Sequence, residues 1–193
     1  MDQMTWDDRI ANYRRVIGRT AFIQEEDGWV YGVWKMGNSW GSKAGYYGEY
    51  PGDYLKRVRA LFPDKRRVLH LFSGKVNLSI MPGDTVDIRP ELNPTFLDDA
   101  QTLEAVPLEQ YDLVLADPPY SVEDAEHYGT SIVKRDKVMR ALERLTPGCH
   151  IMWLDQVFPR YRKVAFEHRV EIAVTRSTGH RVRAVFGFLR RDT

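Results

Sequence analysis

Cysteine is nearly missing. Cys149 is the one thiol in 193 residues, which excludes an intramolecular disulfide and a cysteine-rich zinc site. No stretch approaches the ~18 consecutive apolar residues of a membrane span. The opening MDQMTWDDRI lacks the basic-then-apolar pattern of a secretory leader. The expectation is a reducing, cytoplasmic setting with no membrane partner. The five histidines show no pairing at metal-ligand spacing, so no metal is expected. Low-complexity sequence is absent as well: 43% hydrophobic and 28% charged residues exclude a disordered chain. At roughly 100–200 residues per domain, the length suits one domain with a small appendage.

Net charge is also scarce, only +1, but the charge is segregated. Residues 84–126 hold twelve acids against the single base Arg89. Residues 159–193 hold nine bases and three acids. Such runs fit ordinary solvated faces, or a basic edge facing a polyanion.

What is present falls into two parts. Residues 1–54 carry eleven of the 23 aromatics. Trp6, Ile10, Tyr13 and Ile17 recur at helical spacing and predict a helix over 4–17. TAFIQ, the turn EEDG and WVYGVWKM read as a hairpin, and GNSWGSKAGYYGEYPG as a loop. Residues 1–50 are therefore expected to pack as a helix, hairpin and aromatic, glycine-rich loop on a main domain of residues 51–193. There, Leu55, Val58, Leu61 and Phe62 line a helix. VLHLF (68–72), TVDI (85–88), DLVLA (112–116) and HIMWL (150–154) read as buried strands. Residues 131–145 read as a helix, and 157–166 as another. Residues 169–176 and 181–189 alternate as a final antiparallel hairpin. The expected fold is α/β: a Rossmann-like, mostly parallel sheet with helices on both faces and a C-terminal antiparallel hairpin strand.

In such a sheet, ligands bind outside the carboxyl ends of the strands. Phe72-Ser73-Gly74 and Asp117-Pro118-Pro119-Tyr120 fall at such ends. A Pro-Pro pair leaving a buried strand stiffens the chain and holds the Asp117 carboxylate in a fixed direction. Tyr120 adds an aromatic plate. Acceptors plus a ring suit a planar group that carries an amine.

DPPY after an apolar strand resembles the catalytic motif of the amino-methyltransferases, which methylate exocyclic nitrogens with S-adenosylmethionine. The resemblance spans residues 45–189. GEYPGDYLKRVRALF is similar to the family's "P, x, x, x, L" motif, and VLHLFSG to its first-strand motif "DxFxGxG". It implies catalytic roles for Asp117, Pro118, Pro119 and Tyr120. It implies cofactor contacts from Tyr47, Pro51, Phe72, Ser73, Gly74 and Asp117, with Asp87 on the ribose hydroxyls and Asp99 on the adenine amine. Of the adjacent Asp98 and Asp99, one is expected to face solvent. Ile88 reads either as a cover for the adenine face or as a core residue. Residues 51–193 would then be the S-adenosylmethionine-dependent methyltransferase domain.

Three features depart from that pattern. His70 stands in place of the usual acid, and Val76 in place of the second glycine. Only nine residues, Lys75 to Gly83, separate the first turn from Asp84, too few for a helix of ~15 Å plus its connections. That helix is expected to be shortened or lost.

The resemblance implies a nucleic acid partner, DNA before RNA, with adenine N6 the first substrate. An RNA base, cytosine N4, and a non-catalytic binding module of the same fold are the alternatives. Arg176, Arg181 and Arg183 flank the last hairpin turn. Alternation puts Arg181 and Arg183 on one strand face, with Val182 and Ala184 on the other, so the three arginines are expected to form a patch for the nucleic-acid backbone.

Overall fold

The computed structural model of this chain describes residues 4–18, 22–36, 50–119, 132–176 and 182–192. Three α-helices are described: α1 (Trp6–Ile17), α2 (Tyr54–Leu61) and α3 (Arg135–Ala141). Nine strands are described: β1 (Phe22–Glu26), β2 (Trp29–Met36), β3 (Val68–Leu71), β4 (Asp84–Asp87), β5 (Phe96–Leu97), β6 (Leu113–Ala116), β7 (His150–Asp155), β8 (Phe166–Arg176) and β9 (Arg183–Arg190). They form one sheet in the order β1-β2-β8-β9-β7-β6-β3-β4-β5. Only β1 and β9 run against the other strands. This is the expected mostly parallel α/β sheet, with β9 inserted antiparallel between β7 and β8.

The strands are short, apolar and buried, as in a sheet covered on both faces; β3, β6 and β7 are buried at every position. α1 and α2 cover one face, packing Ile10, Tyr13, Leu55 and Val58 against Val68, Leu115 and Ile172. α3 and the turns at 98–111 cover the other, packing Val138, Met139 and Leu103 against Leu69, Val114 and Trp153. β2 pairs in parallel with β8, so the N-terminal hairpin widens the main sheet. Its exposed face carries Phe22, Trp29, Tyr31 and Val33.

Two crossovers bear on the helices expected from the sequence. From Phe72 to Gly83 the chain makes only turns and bends, as the nine-residue spacing predicts. Gly83, just before β4, lies close beside the start of β3: a Cβ there would collide with the Val68 carbonyl. The second case is a correction. The helix expected over 157–166 does not form; residues 156–165 are irregular, and β8 begins at Phe166. Pro159 sits inside that segment and cannot donate to a helix. Aromatic packing replaces the helix. Phe158 and Tyr161 meet His168, Phe186 and Phe188 at centroid distances of 4.9–6.4 Å.

The chain runs β3 to β4 to β5 toward one edge, then returns with β6 on the other side of β3. The order therefore reverses between β3 and β6, the position where sheets of this kind open a crevice at their carboxyl ends.

Candidate functional site

Leu71 pairs with Ala116, so Phe72 and Asp117 leave the sheet side by side at this reversal. Phe72 adopts φ +56° and Gly74 φ +51°. A positive φ is costly for phenylalanine and natural for glycine. Together they fold the chain back: the Ser73 amide donates to the Val86 carbonyl at 3.1 Å. The Gly74 amide donates to Asp87 Oδ2 at 3.0 Å. The other Asp87 oxygen accepts from the Arg89 amide at 3.1 Å and Arg89 Nε at 3.2 Å. The buried Asp87 thus joins the ends of β3 and β4, with a guanidinium beside it.

β4 and β5 end together. The Asp98 amide donates to the Asp87 carbonyl at 3.2 Å, and Asp87 is level with Leu97, so Ile88 comes level with Asp98 and Asp99 follows one residue on. Ile88 is 45% exposed, which removes its core reading and leaves an apolar surface beside Asp99. The two adjacent acids separate cleanly. Asp98 is tied to the Asp99 and Ala105 amides at 2.7 and 2.8 Å. Asp99 is the exposed one, and its carboxylate accepts from Gln101 through backbone and side chain.

The opposite wall comes from the helical face. Pro51 is buried at the turn into α2 and accepts the Tyr54 amide. Tyr50 and Tyr54 stack at 5.0 Å and 19°. The Tyr50 ring lies 6.1 Å from that of His70 in β3. Three polar atoms in this group are buried with no hydrogen-bond partner among the described residues: Tyr50 Oη, Tyr54 Oη and His70 Nδ1. Each such atom costs about 1–3 kcal/mol, so their clustering marks a place that a polar group can fill. His70 Nε2 lies 3.0 Å from the Met81 carbonyl, which can only accept. Nε2 therefore carries the proton and Nδ1 presents a lone pair. Burial holds His70 neutral, lowering its pKa to about 4. Burial also raises both tyrosines well above the usual phenol value, and the nearby Asp117 charge pushes them further.

Arg183 requires a correction. It is 7% exposed, whereas Val182 is 83% exposed, so β9 starts with the opposite facing to that expected. The guanidinium charge acts on Tyr54, against that of Asp117. Because β9 is antiparallel, its first residue lies at the carboxyl ends of the parallel strands. Arg183 belongs to the interior there and cannot form an exposed arginine patch. Tyr47, Tyr120 and Arg181 lie outside the described residues, as does the side chain of Arg176.

The structure therefore places Phe72, Ser73, Gly74, Asp87, Ile88, Asp99, Asp117, Pro118 and Pro119 at the carboxyl ends of β3–β6, and Pro51 at the turn into α2 next to Tyr50. It adds residues that the sequence reading passed over. Asp155 ends β7 with no exposed surface. It accepts from Arg135 Nε and a terminal guanidinium nitrogen at 2.6 and 3.0 Å, from Trp153 Nε1, and from two amides. The signal was available: Asp155 closes a buried strand just as Asp87 does. Among the described residues no three His, Cys, Asp or Glu side chains gather as a metal site, and no helix is long and apolar enough to cross a membrane. Burial pushes the Cys149 thiol up to about 12, far from a nucleophile's range.

No protein-family model matches the sequence, and no curated protein matches it. Among solved structures the chain is similar to the N-methyltransferase NodS from Bradyrhizobium japonicum WM9, at 13% identity and a TM-score of 0.46, with 72% of this chain and 93% of that chain covered.

Proposed function

We propose that this protein is an S-adenosylmethionine-dependent methyltransferase acting on an exocyclic amino group of a nucleobase, adenine N6 in DNA first. The observation that carries the reading is the placement of Asp117-Pro118-Pro119 beside the Phe72–Gly74 turn at the strand-order reversal. The residues present fit the cofactor. Asp87 ends β4 and Ile88 follows it, where a ribose and a purine face would lie, with Asp99 at the purine edge. The unpartnered Tyr50 Oη, Tyr54 Oη and His70 Nδ1 offer donors and an acceptor to a polar tail. When bound, S-adenosylmethionine supplies an electrophilic methyl group on a sulfonium.

An amine conjugated with an aromatic ring is a weak nucleophile, because its lone pair is delocalised. Asp117 and the Pro118 carbonyl accept its two hydrogens and favour a tetrahedral nitrogen with its lone pair free. The two prolines keep these acceptors fixed, so little reorganisation accompanies reaction. The proton lost from nitrogen goes to Asp117 or to solvent. In the family that the DPPY motif resembles, an asparagine at the first motif position goes with protein glutamine, so Asp117 favours a nucleobase amine, the basis for choosing nucleic acid.

A binding module without catalysis is the second reading. The missing helix after β3 and the Arg89 guanidinium on Asp87 favour it. Incubation with methyl-labelled cofactor and separate DNA, single-stranded DNA and RNA pools, followed by nucleoside analysis, decides. Label in N6-methyladenine from DNA supports the first reading. Label in an RNA base or in N4-methylcytosine redirects the substrate. Cofactor binding with no transfer to any pool establishes the module.

A further inference from the structure

The turn after β5 is stapled to α3 by one side chain. Gln101 Oε1 accepts the Lys134 amide at 3.1 Å. A backbone N–H can only donate, so this bond fixes the amide orientation. Gln101 Nε2 must then face Asp99, and it lies 3.3 and 3.2 Å from the two carboxylate oxygens. The Gln101 backbone amide adds a bond to Asp99 Oδ1 at 2.9 Å. Lys134 is the residue that caps α3. Beyond the far end of that helix, Arg144 donates to the Thr102 and Leu103 carbonyls at 3.1 and 2.6 Å. The turn is thus held from both sides of α3, which Arg135 in turn fastens to Asp155.

We infer that Gln101 is a positioning residue that makes Asp99 a reader of a 6-aminopurine, through the fixed chain Lys134 amide, Gln101 side chain, Asp99 carboxylate. A carboxylate accepts at about four lone-pair positions. Gln101 occupies three of them, two on Oδ1 and one on Oδ2. The position left open on Oδ2 can only accept, so it selects a donor. A 6-amino group supplies one. A 6-oxo group sets oxygen against oxygen and is rejected, as polar sites reject partners that leave them unpaired. The exposed Ile88 gives the ring an apolar face alongside. Held from α3, the carboxylate needs no rearrangement on binding, the condition for strong discrimination.

This inference rests on the cofactor reading above. The test is calorimetric titration of the whole chain with S-adenosylhomocysteine and with its 6-oxo analogue, S-inosylhomocysteine. The wild type is expected to prefer the 6-amino ligand by at least about a hundredfold. Gln101→Leu removes the side-chain bonds to Lys134 and to Asp99, and the preference should shrink about tenfold or more through weaker binding of the 6-amino ligand alone. Gln101→Glu keeps an acceptor for Lys134 but turns an oxygen toward Asp99, and it should lose the preference equally. Unfolding temperatures of both variants should match the wild type. A Gln101→Leu preference equal to the wild type overturns the inference and leaves the cofactor reading standing, as does equal weakening toward both ligands, which marks a structural role only. A wild type that binds neither ligand overturns both.

Discussion

Asp117 and Asp87 sit at the same carboxyl end of the sheet, and the proposed function gives them different tasks. Asp117 leaves β6 behind a buried apolar run and is stiffened by two prolines. Asp117→Ala should lower methyl transfer more than tenfold, over about 1.4 kcal/mol of barrier. S-adenosylhomocysteine affinity should change little. Single-turnover rates beside calorimetric titration test this, and retention of more than about a tenth of the rate removes Asp117 from catalysis. Asp87 already accepts from Gly74 and Arg89, so its replacement has two effects. Asp87→Asn keeps an oxygen for Gly74 and should weaken cofactor affinity by about 1.5–3 kcal/mol while the rate at saturation stays near wild type. Unchanged affinity by calorimetry refutes the ribose role. Both aspartates were legible in the sequence because each follows a short apolar strand. Arg183 was not. Alternation gives two faces to a strand but does not say which one is outward, and in β9 Arg183 falls on the buried face while Ala184 and Phe186 take the half-buried one.

At the scale of elements, the crossovers decide the shape of the site. The loss of the helix after β3 follows from chain length alone and leaves Gly83 against the Val68 carbonyl. Gly83→Ala should destabilise the fold by about 1–3 kcal/mol, as overpacking does. Urea unfolding would read this as a lower midpoint with an unchanged slope. The missing helix after β7 was not legible: residues 157–166 are apolar enough to suggest one, and Pro159 competes with that pattern. The aromatic cluster that replaces it draws Phe158 and Tyr161 onto β8 and β9, strands far away in sequence. α3 depends on another distant partner. Asp155→Ala would leave the Arg135 guanidinium, with 13% of its side chain exposed, without its carboxylate. Breaking such a buried pair costs about 3–5 kcal/mol, and equilibrium unfolding should show a loss of that order. A loss below about 1 kcal/mol would place the anchor of α3 elsewhere.

The whole molecule stores an acid sensitivity in its buried histidines. Burial lowers His70 to about 4, and burial with the Lys65 and Arg9 charges lowers His150 to about 3. In the unfolded chain both titrate near ~6.5. Above that value neither state binds the proton and stability is unaffected. As pH falls below it, the unfolded chain takes up protons that the folded protein refuses, so stability falls down to the folded values. With both groups contributing, the slope between pH ~6 and ~4.5 approaches about 3 kcal/mol per pH unit. Unfolding free energies measured across that range should show it, and His150→Gln should roughly halve it. An unchanged slope in that variant assigns the acid sensitivity to other groups.

The sequence by itself determined the α/β class, the parallel strands, the final hairpin, the lost helix after β3 and the carboxylates at strand ends. These are local properties: short apolar runs, prolines and spacing read along the chain. Only the tertiary structure decided that Tyr50, Tyr54 and His70 gather beside Asp117, that Arg183 turns inward, and that Gln101 and Asp155 tie α3 to the sheet. Those facts depend on strand order and register. Neighbours in the sheet come from residues tens of positions apart, and the burial of a side chain is settled by what packs over it.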